Sequence, residues 1–122
     1  MKLSNLFLIN AVVAILFGLG FILIPVTVLS WYGVALNEAG LFVASLYGSA
    51  LITFGLISWL VRNLASSDTL RAVILSFFIG DAIGFVLSLI NQLQGVANSF
   101  GWSTVVIYLL LGLGFGYFYM KK

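Results

Sequence analysis

The sequence predicts an all-α polytopic membrane protein, a four-transmembrane-helix bundle with both termini on the cytoplasmic side. Three observations carry that expectation. Of the 122 residues, 63% are hydrophobic and only 7% charged, whereas a soluble domain of this length needs far more polar surface to cover itself. Four apolar runs are each long enough to cross a hydrocarbon core ~30 Å thick, which takes about 20 helical residues. All five basic residues fall on one side of a four-span reading. The chain is therefore read as a single membrane domain, residues 1–122.

The first span covers about residues 3–24 and is stopped by Pro25. Its apolar core is too long for a signal peptide and no small-residue cleavage pattern precedes Pro25, so it is expected to be a retained helix. Between Val26 and Asn37 lies an apolar loop carrying Trp31-Tyr32-Gly33. Such a segment belongs in the membrane interface as a short helix or turn. The second span covers about residues 39–61, bounded by Asn37-Glu38 and by Arg62-Asn63. The third covers about 70–93 and ends in Asn91, Gln92, Gln94 and Gly95; the fourth covers about 101–120 and ends in Lys121 and Lys122. Ser67-Asp68 and Asn98-Ser99 are candidate N-caps for these last two helices.

Orientation follows from the charges. Lys2, Arg62, Arg71, Lys121 and Lys122 all lie at one end of the spans, and the loops 25–38 and 91–101 contain no Lys or Arg. The positive-inside rule then places the termini and the middle loop in the cytoplasm, in a cell inner (cytoplasmic) membrane. Trp31, Tyr32 and Trp102 form an outer aromatic belt, and Trp59, Tyr117 and Tyr119 an inner one. A repeat also runs through the chain. Gly20-Phe21-Ile22-Leu23 is echoed by Gly84-Phe85-Val86-Leu87, and Gly33-Val34-Ala35 by Gly95-Val96-Ala97. Tyr47 and Gly55 share the spacing of Tyr108 and Gly116. A parallel hairpin duplication would produce this pattern.

Asp81 is the one charged residue in the interior of any span. A carboxylate there costs several kcal/mol unless protonated, paired or hydrated, so it is the leading candidate for a site. It lies ten residues beyond Arg71, roughly 15 Å into the membrane at 1.5 Å per residue. The polar side chains expected at matching depth are Asn10, Ser49, Thr53 and Tyr108, and Arg62 and Arg71 are too distant for a direct ion pair. Asp81 is thus expected to be hydrogen-bonded to neutral groups such as Thr53, Tyr108 or a backbone carbonyl. Gly80 and Gly84 flank it as a small-xxx-small pair, extended by Ser88, a pattern that lets another helix approach closely. Ala44-Gly48 with Ser45-Ser49 in span two and Gly112-Gly116 in span four are read the same way. Gly48, Gly80, Gly84, Gly112 and Gly116 are therefore the expected packing glycines. Glu38 belongs to the outer interface, and Asp68 is a favourable charge at a helix N-terminus.

The composition excludes several chemistries. Without cysteine or histidine there are no disulfides, thiolate sites, imidazole ligands or His-based acid–base pairs. One interior acid with no base makes no nucleophile–base pair, so no enzyme, metal site or cofactor is expected. A net charge of +2 suggests no nucleic-acid partner. The partners expected are the lipid bilayer and other membrane subunits or further copies of the chain.

Two families of similar size do not fit. Small multidrug-resistance exporters carry their essential acid in the first span, whereas here it is in the third. Dual-topology fluoride channels carry an Asn-containing motif early in the second span that this chain lacks. The chain resembles instead a group of small uncharacterised prokaryotic membrane proteins with four helices. That likeness rests on Pro25, Trp31-Tyr32-Gly33, Gly48, Trp59 with Arg62, Asp81 with Gly84, Gly95, Gly101-Trp102, Tyr108 and a glycine-rich fourth span. It implies the fold and no activity. The function expected is that of a small accessory or assembly subunit of a larger membrane complex, acting through helix packing. One alternative is a small oligomeric transporter or channel using Asp81 as a proton or cation site. Another is binding of a lipid, quinone or pigment.

Overall fold

A computed structural model describes residues 1–121; Lys122, counted above among the inner-side cations, lies outside the described residues. Those residues form five helices and no strand: α1 (Leu3–Leu23), α2 (Pro25–Trp31), α3 (Glu38–Val61), α4 (Asp68–Leu93) and α5 (Gly101–Met120). The four long ones coincide with the expected spans to within two residues and are long and apolar enough to cross a membrane. Their apolar residues are spread round the whole circumference rather than gathered on one face. Helices of that kind belong in the interior of a large protein or in lipid. The chain divides into two compact units, Lys2–Arg62 and the segment from Asn63 onward. Each is built on an antiparallel pair of long helices.

In the first unit α1 packs along α3. The small residues Ala44, Gly48, Gly55 and Ser58 of α3 are all buried and recur at the 3–4 and 7 spacings that keep one helical face. They meet Ala11, Ala14 and Gly18 of α1, also buried. The closest approach is at Gly18 and Gly48. A methyl carbon placed on Gly18 would sit 2.8 Å from the Gly48 carbonyl oxygen, and one on Gly48 would sit 2.7 Å from that of Gly18. Lower down, the fully buried Ser58 hydroxyl donates to the Phe7 carbonyl oxygen at 2.6 Å, a polar tie of the kind that small residues make between membrane helices. At the upper end the rings of Phe21 and Tyr47 lie 5.4 Å apart.

Proline shapes the next step. Ile24, just before Pro25, leaves the helical region with φ −137° and ψ 54°, as a residue preceding proline tends to. Pro25 then opens α2, where its missing N–H costs nothing. The α2 segment folds back so that Val28 is buried against Gly20. An apolar groove of about 420 Å³ remains between the two helices, lined by Leu16, Phe17, Gly20, Leu23 and Trp31 among others. The expected interfacial segment is thus a helix followed by a turn. Asn37 caps α3 by accepting a hydrogen bond from the Gly40 N–H at 2.8 Å.

In the second unit Ser67 caps α4 by accepting from the Leu70 N–H at 3.1 Å, as expected. The other expected cap is corrected: the N-cap residue of α5 is Phe100, without a side-chain bond to the helix. Asn98 instead accepts from the Phe100 N–H at 3.0 Å and receives the Gln92 amide on its carbonyl at 2.9 Å. Both groups close the turn between the helices rather than α5 itself. Along the α4–α5 seam Phe77 stacks on the fully buried Phe115 at 5.2 Å. At the end opposite that turn, Arg71 lies 4.5 Å over the Tyr119 ring and Lys121 5.8 Å over that of Tyr117. In the first unit Arg62 lies 3.7 Å over Trp59. These cation–π pairs hold basic residues at the ends of the long helices.

Candidate functional site

Asp81 faces α5 from the middle of α4. Its Cβ lies 3.5 Å from the point where a Gly112 side chain would begin. That pairing is one of three successive levels in the α4–α5 seam, and each level holds one glycine. At the level above, the Tyr108 ring occupies the space left by Gly84; at the level below, the Phe78 ring occupies that left by Gly116. At the middle level Gly112 leaves room for a carboxyl group instead of a ring. The Asp81 Oδ2 atom is shielded from solvent and has no hydrogen-bond partner.

The other expected polar residues are distributed unevenly. Tyr108 shares the seam with Asp81, one helical turn along it, through the Gly84 contact. Asn10, Ser49 and Thr53 belong to the first unit. Ser49 and Thr53 are on an exposed flank of α3, and the Thr53 hydroxyl donates to the Ser49 carbonyl oxygen of its own helix at 3.2 Å. That local bond is the usual resort of a threonine in an apolar helix. It uses the Thr53 hydroxyl hydrogen within α3 itself. Asn10 is only 6% exposed and its Nδ2 has no hydrogen-bond partner. Among the described residues each unit therefore carries one shielded polar atom without a partner, a donor on Asn10 and an acceptor on Asp81. Such atoms in native proteins call for an explanation.

The packing glycines also separate. Gly48, Gly84, Gly112 and Gly116 all lie at helix contacts, but Gly80 has nothing within 4 Å of the place its side chain would occupy. Gly80 and Gly84 were expected to form one face around Asp81. The seam runs through Phe78, Asp81 and Gly84, and Gly80, one residue before Asp81, is turned about 100° away from it on an open flank. Ser45 and Ser49 likewise stand off the contact face that Ala44 and Gly48 share. Ser58 was missed. Its signal was present in the spacing of Ala44, Gly48, Gly55 and Ser58, which marks one small-residue face along all of α3.

Among the described residues no group of three or more His, Cys, Asp or Glu side chains could hold a metal. The site thus offers one carboxyl, a neighbouring phenol and an open small-residue flank within a helical hairpin. No family model, curated protein or solved structure matches the chain.

Proposed function

We propose that the protein is a non-enzymatic integral membrane protein, a four-span bundle with both termini in the cytoplasm. It serves as a small accessory or assembly subunit of a larger complex in the cell inner membrane. The observation that carries this reading is the pair of shielded, unpartnered polar atoms, Asn10 Nδ2 and Asp81 Oδ2. In lipid such atoms gain from a partner that supplies the missing bond, and interhelical hydrogen bonds between membrane helices contribute roughly 0.6–2 kcal/mol each. The open flank at Gly80, beside the exposed Ile79, Ile83 and Leu87, is the surface on which a partner helix would approach closely. The orientation rests on the one-sided distribution of Lys and Arg.

A second reading is supported by Asp81 itself. A carboxyl oxygen that no protein group satisfies is also what a proton- or cation-responsive site requires, so a small oligomeric transporter or channel is the alternative. One comparison separates them. The wild-type protein and the Asp81→Asn variant are purified in mild detergent and what accompanies each is identified. A stoichiometric membrane partner that is lost from the variant supports the subunit reading. Isolation of the wild type alone, with proteoliposome transport abolished by Asp81→Asn, overturns it. A co-purifying lipid, quinone or pigment would point to the groove beside α2 instead. Single cysteines at Ala35 and Leu64, in a chain with no native cysteine, test the orientation: impermeant reagent added outside should label only the first.

A further inference from the structure

The two units share their construction, and we infer that the chain is a tandem duplication of one helical hairpin, with Ile24-Pro25 as a later two-residue insertion that broke the first copy's leading helix. The correspondence starts at the turns. In the first unit Gly33 adopts φ 72°, its N–H donates to the Ser30 carbonyl at 3.0 Å, and the Val34 N–H reaches back to Leu29 at 3.0 Å. In the second, Gly95 adopts φ 76°, its N–H donates to Gln92 at 3.1 Å, and the Val96 N–H reaches back to Asn91 at 3.1 Å. Both are Schellman endings with a left-handed glycine. That motif is common, so alone it decides little. What matters is that Gly-Val-Ala carries it in both places and that the contacts of the flanking helices recur within one residue of the same register.

The helix seams match to within one residue of the same alignment, each contact in the second unit falling one residue earlier on the leading helix. Gly55 receives Ile15 from the leading helix, and Gly116 receives Phe78. Tyr47 packs on Phe21, and Tyr108 packs on Gly84 beside Phe85, the counterpart of Phe21. Each trailing helix ends near a basic residue held over an aromatic ring, Arg62 over Trp59 and Lys121 over Tyr117. A hairpin crosses a membrane twice, so a head-to-tail copy retains its orientation, in keeping with the basic residues recurring at one side.

The one large difference is also accounted for. Leu23 to Gly33 is ten steps along the chain, whereas the corresponding Leu87 to Gly95 is eight. The surplus falls where α1 stops at Ile24 and Pro25 begins α2, while α4 runs unbroken to Leu93. Removing two residues there leaves eight steps from Phe21 to Trp31, against nine from Tyr47 back to Glu38. A continuous leading helix would therefore end level with the start of α3, as α4 does with α5. The groove beside α2 belongs to the first copy alone, and Asp81, whose counterpart is Phe17, belongs to the second alone.

Two experiments on the full-length chain test the duplication. Spin labels at Leu16 and Trp31, which line one groove in the native protein, should move apart to about 20 Å when Ile24 and Pro25 are deleted. That is the span of thirteen residues of unbroken helix at 1.5 Å each. Deleting Val12-Val13 instead should abolish folding. A deletion variant lacking Ile24 and Pro25 that folds with the labels still close overturns the inference. A substitution scan scored by folded yield covers the case in which that variant does not fold. Tolerance should match between copies at Gly33 and Gly95, Tyr47 and Tyr108, and Gly55 and Gly116. Profiles no more alike in this alignment than in one slid by half a helical turn overturn it.

Discussion

The contact between Gly18 and Gly48 allows a quantitative test of how the first hairpin is held. A methyl group on either glycine would meet the other's carbonyl oxygen at 2.7–2.8 Å, short of an ordinary C···O contact of ~3.4 Å by roughly 0.6 Å. Backbone cannot rotate aside as a side chain can, so the helices must separate by about that distance. A gap of 0.5–1 Å forfeits about a quarter to a half of the dispersion energy of each contact it opens. Overpacking of this kind costs roughly 1–3 kcal/mol. Alanine's better helix propensity returns at most about 1 kcal/mol, and less in lipid, where glycine is well accepted. The net expectation for Gly18→Ala or Gly48→Ala is a loss of about 1–2 kcal/mol each.

The double variant sharpens the test. Once the helices have separated to admit one methyl, the second finds room already made, so the two losses should sum to less than additive by roughly 0.5 kcal/mol or more. Gly80→Ala is the control: with nothing within 4 Å, it should be neutral or slightly stabilising. Reversible unfolding in mixed micelles, followed by tryptophan fluorescence and circular dichroism, measures all four. A Gly48→Ala protein as stable as wild type would refute the close backbone approach, as would strict additivity of the pair.

Three further perturbations follow from the same structure. Gly33→Ala and Gly95→Ala each place a Cβ on a residue with φ above +70° and should each cost about 1–2 kcal/mol in the same unfolding assay, with asparagine milder than alanine. Gly84→Val should destabilise the second hairpin because its side chain would enter the Tyr108 ring, and Tyr108→Ala in the same chain should recover folded yield. Asp81→Leu should make membrane insertion of α4 more favourable by about 3 kcal/mol, read by glycosylation mapping of the isolated span in a reporter protein.

The four long helices were legible because each is a run of about 20 or more apolar residues, the length a bilayer crossing takes, and such a run leaves a continuous trace in the chain. Pro25 announced the break after α1 for a similarly local reason, its fixed φ and missing N–H. Which face of each helix makes contact was less legible. In a soluble helix the polar face marks the outside, but α1 and α5 are apolar all round, so only small residues distinguish a contact. That cue found Gly48, Gly112 and Gly116 and missed Ser58. It also joined Gly80 to Gly84, which helical phase places in different surroundings. The expected polar cluster around Asp81 rested on depth alone. Depth says nothing of rotation about the helix axis, and rotation is what turned Ser49 and Thr53 to an exposed flank of α3.

The α4–α5 seam shows why Asp81 asks for a reason outside the hairpin's own stability. Each of its three levels pairs a glycine with a larger residue, and the flanking two are filled by the rings of Tyr108 and Phe78. The middle level has the same form, with Gly112 providing the space, so an apolar side chain could fill it. A leucine there would add dispersion contacts and remove the desolvation of a carboxyl group. The acid instead leaves one shielded oxygen without a hydrogen bond. On the function proposed above, the acid is kept for what it meets there, a donor on a partner helix or, in the alternative reading, a cation or proton in passage. Asp81→Leu should therefore stabilise the isolated protein in detergent while abolishing whichever of those encounters occurs.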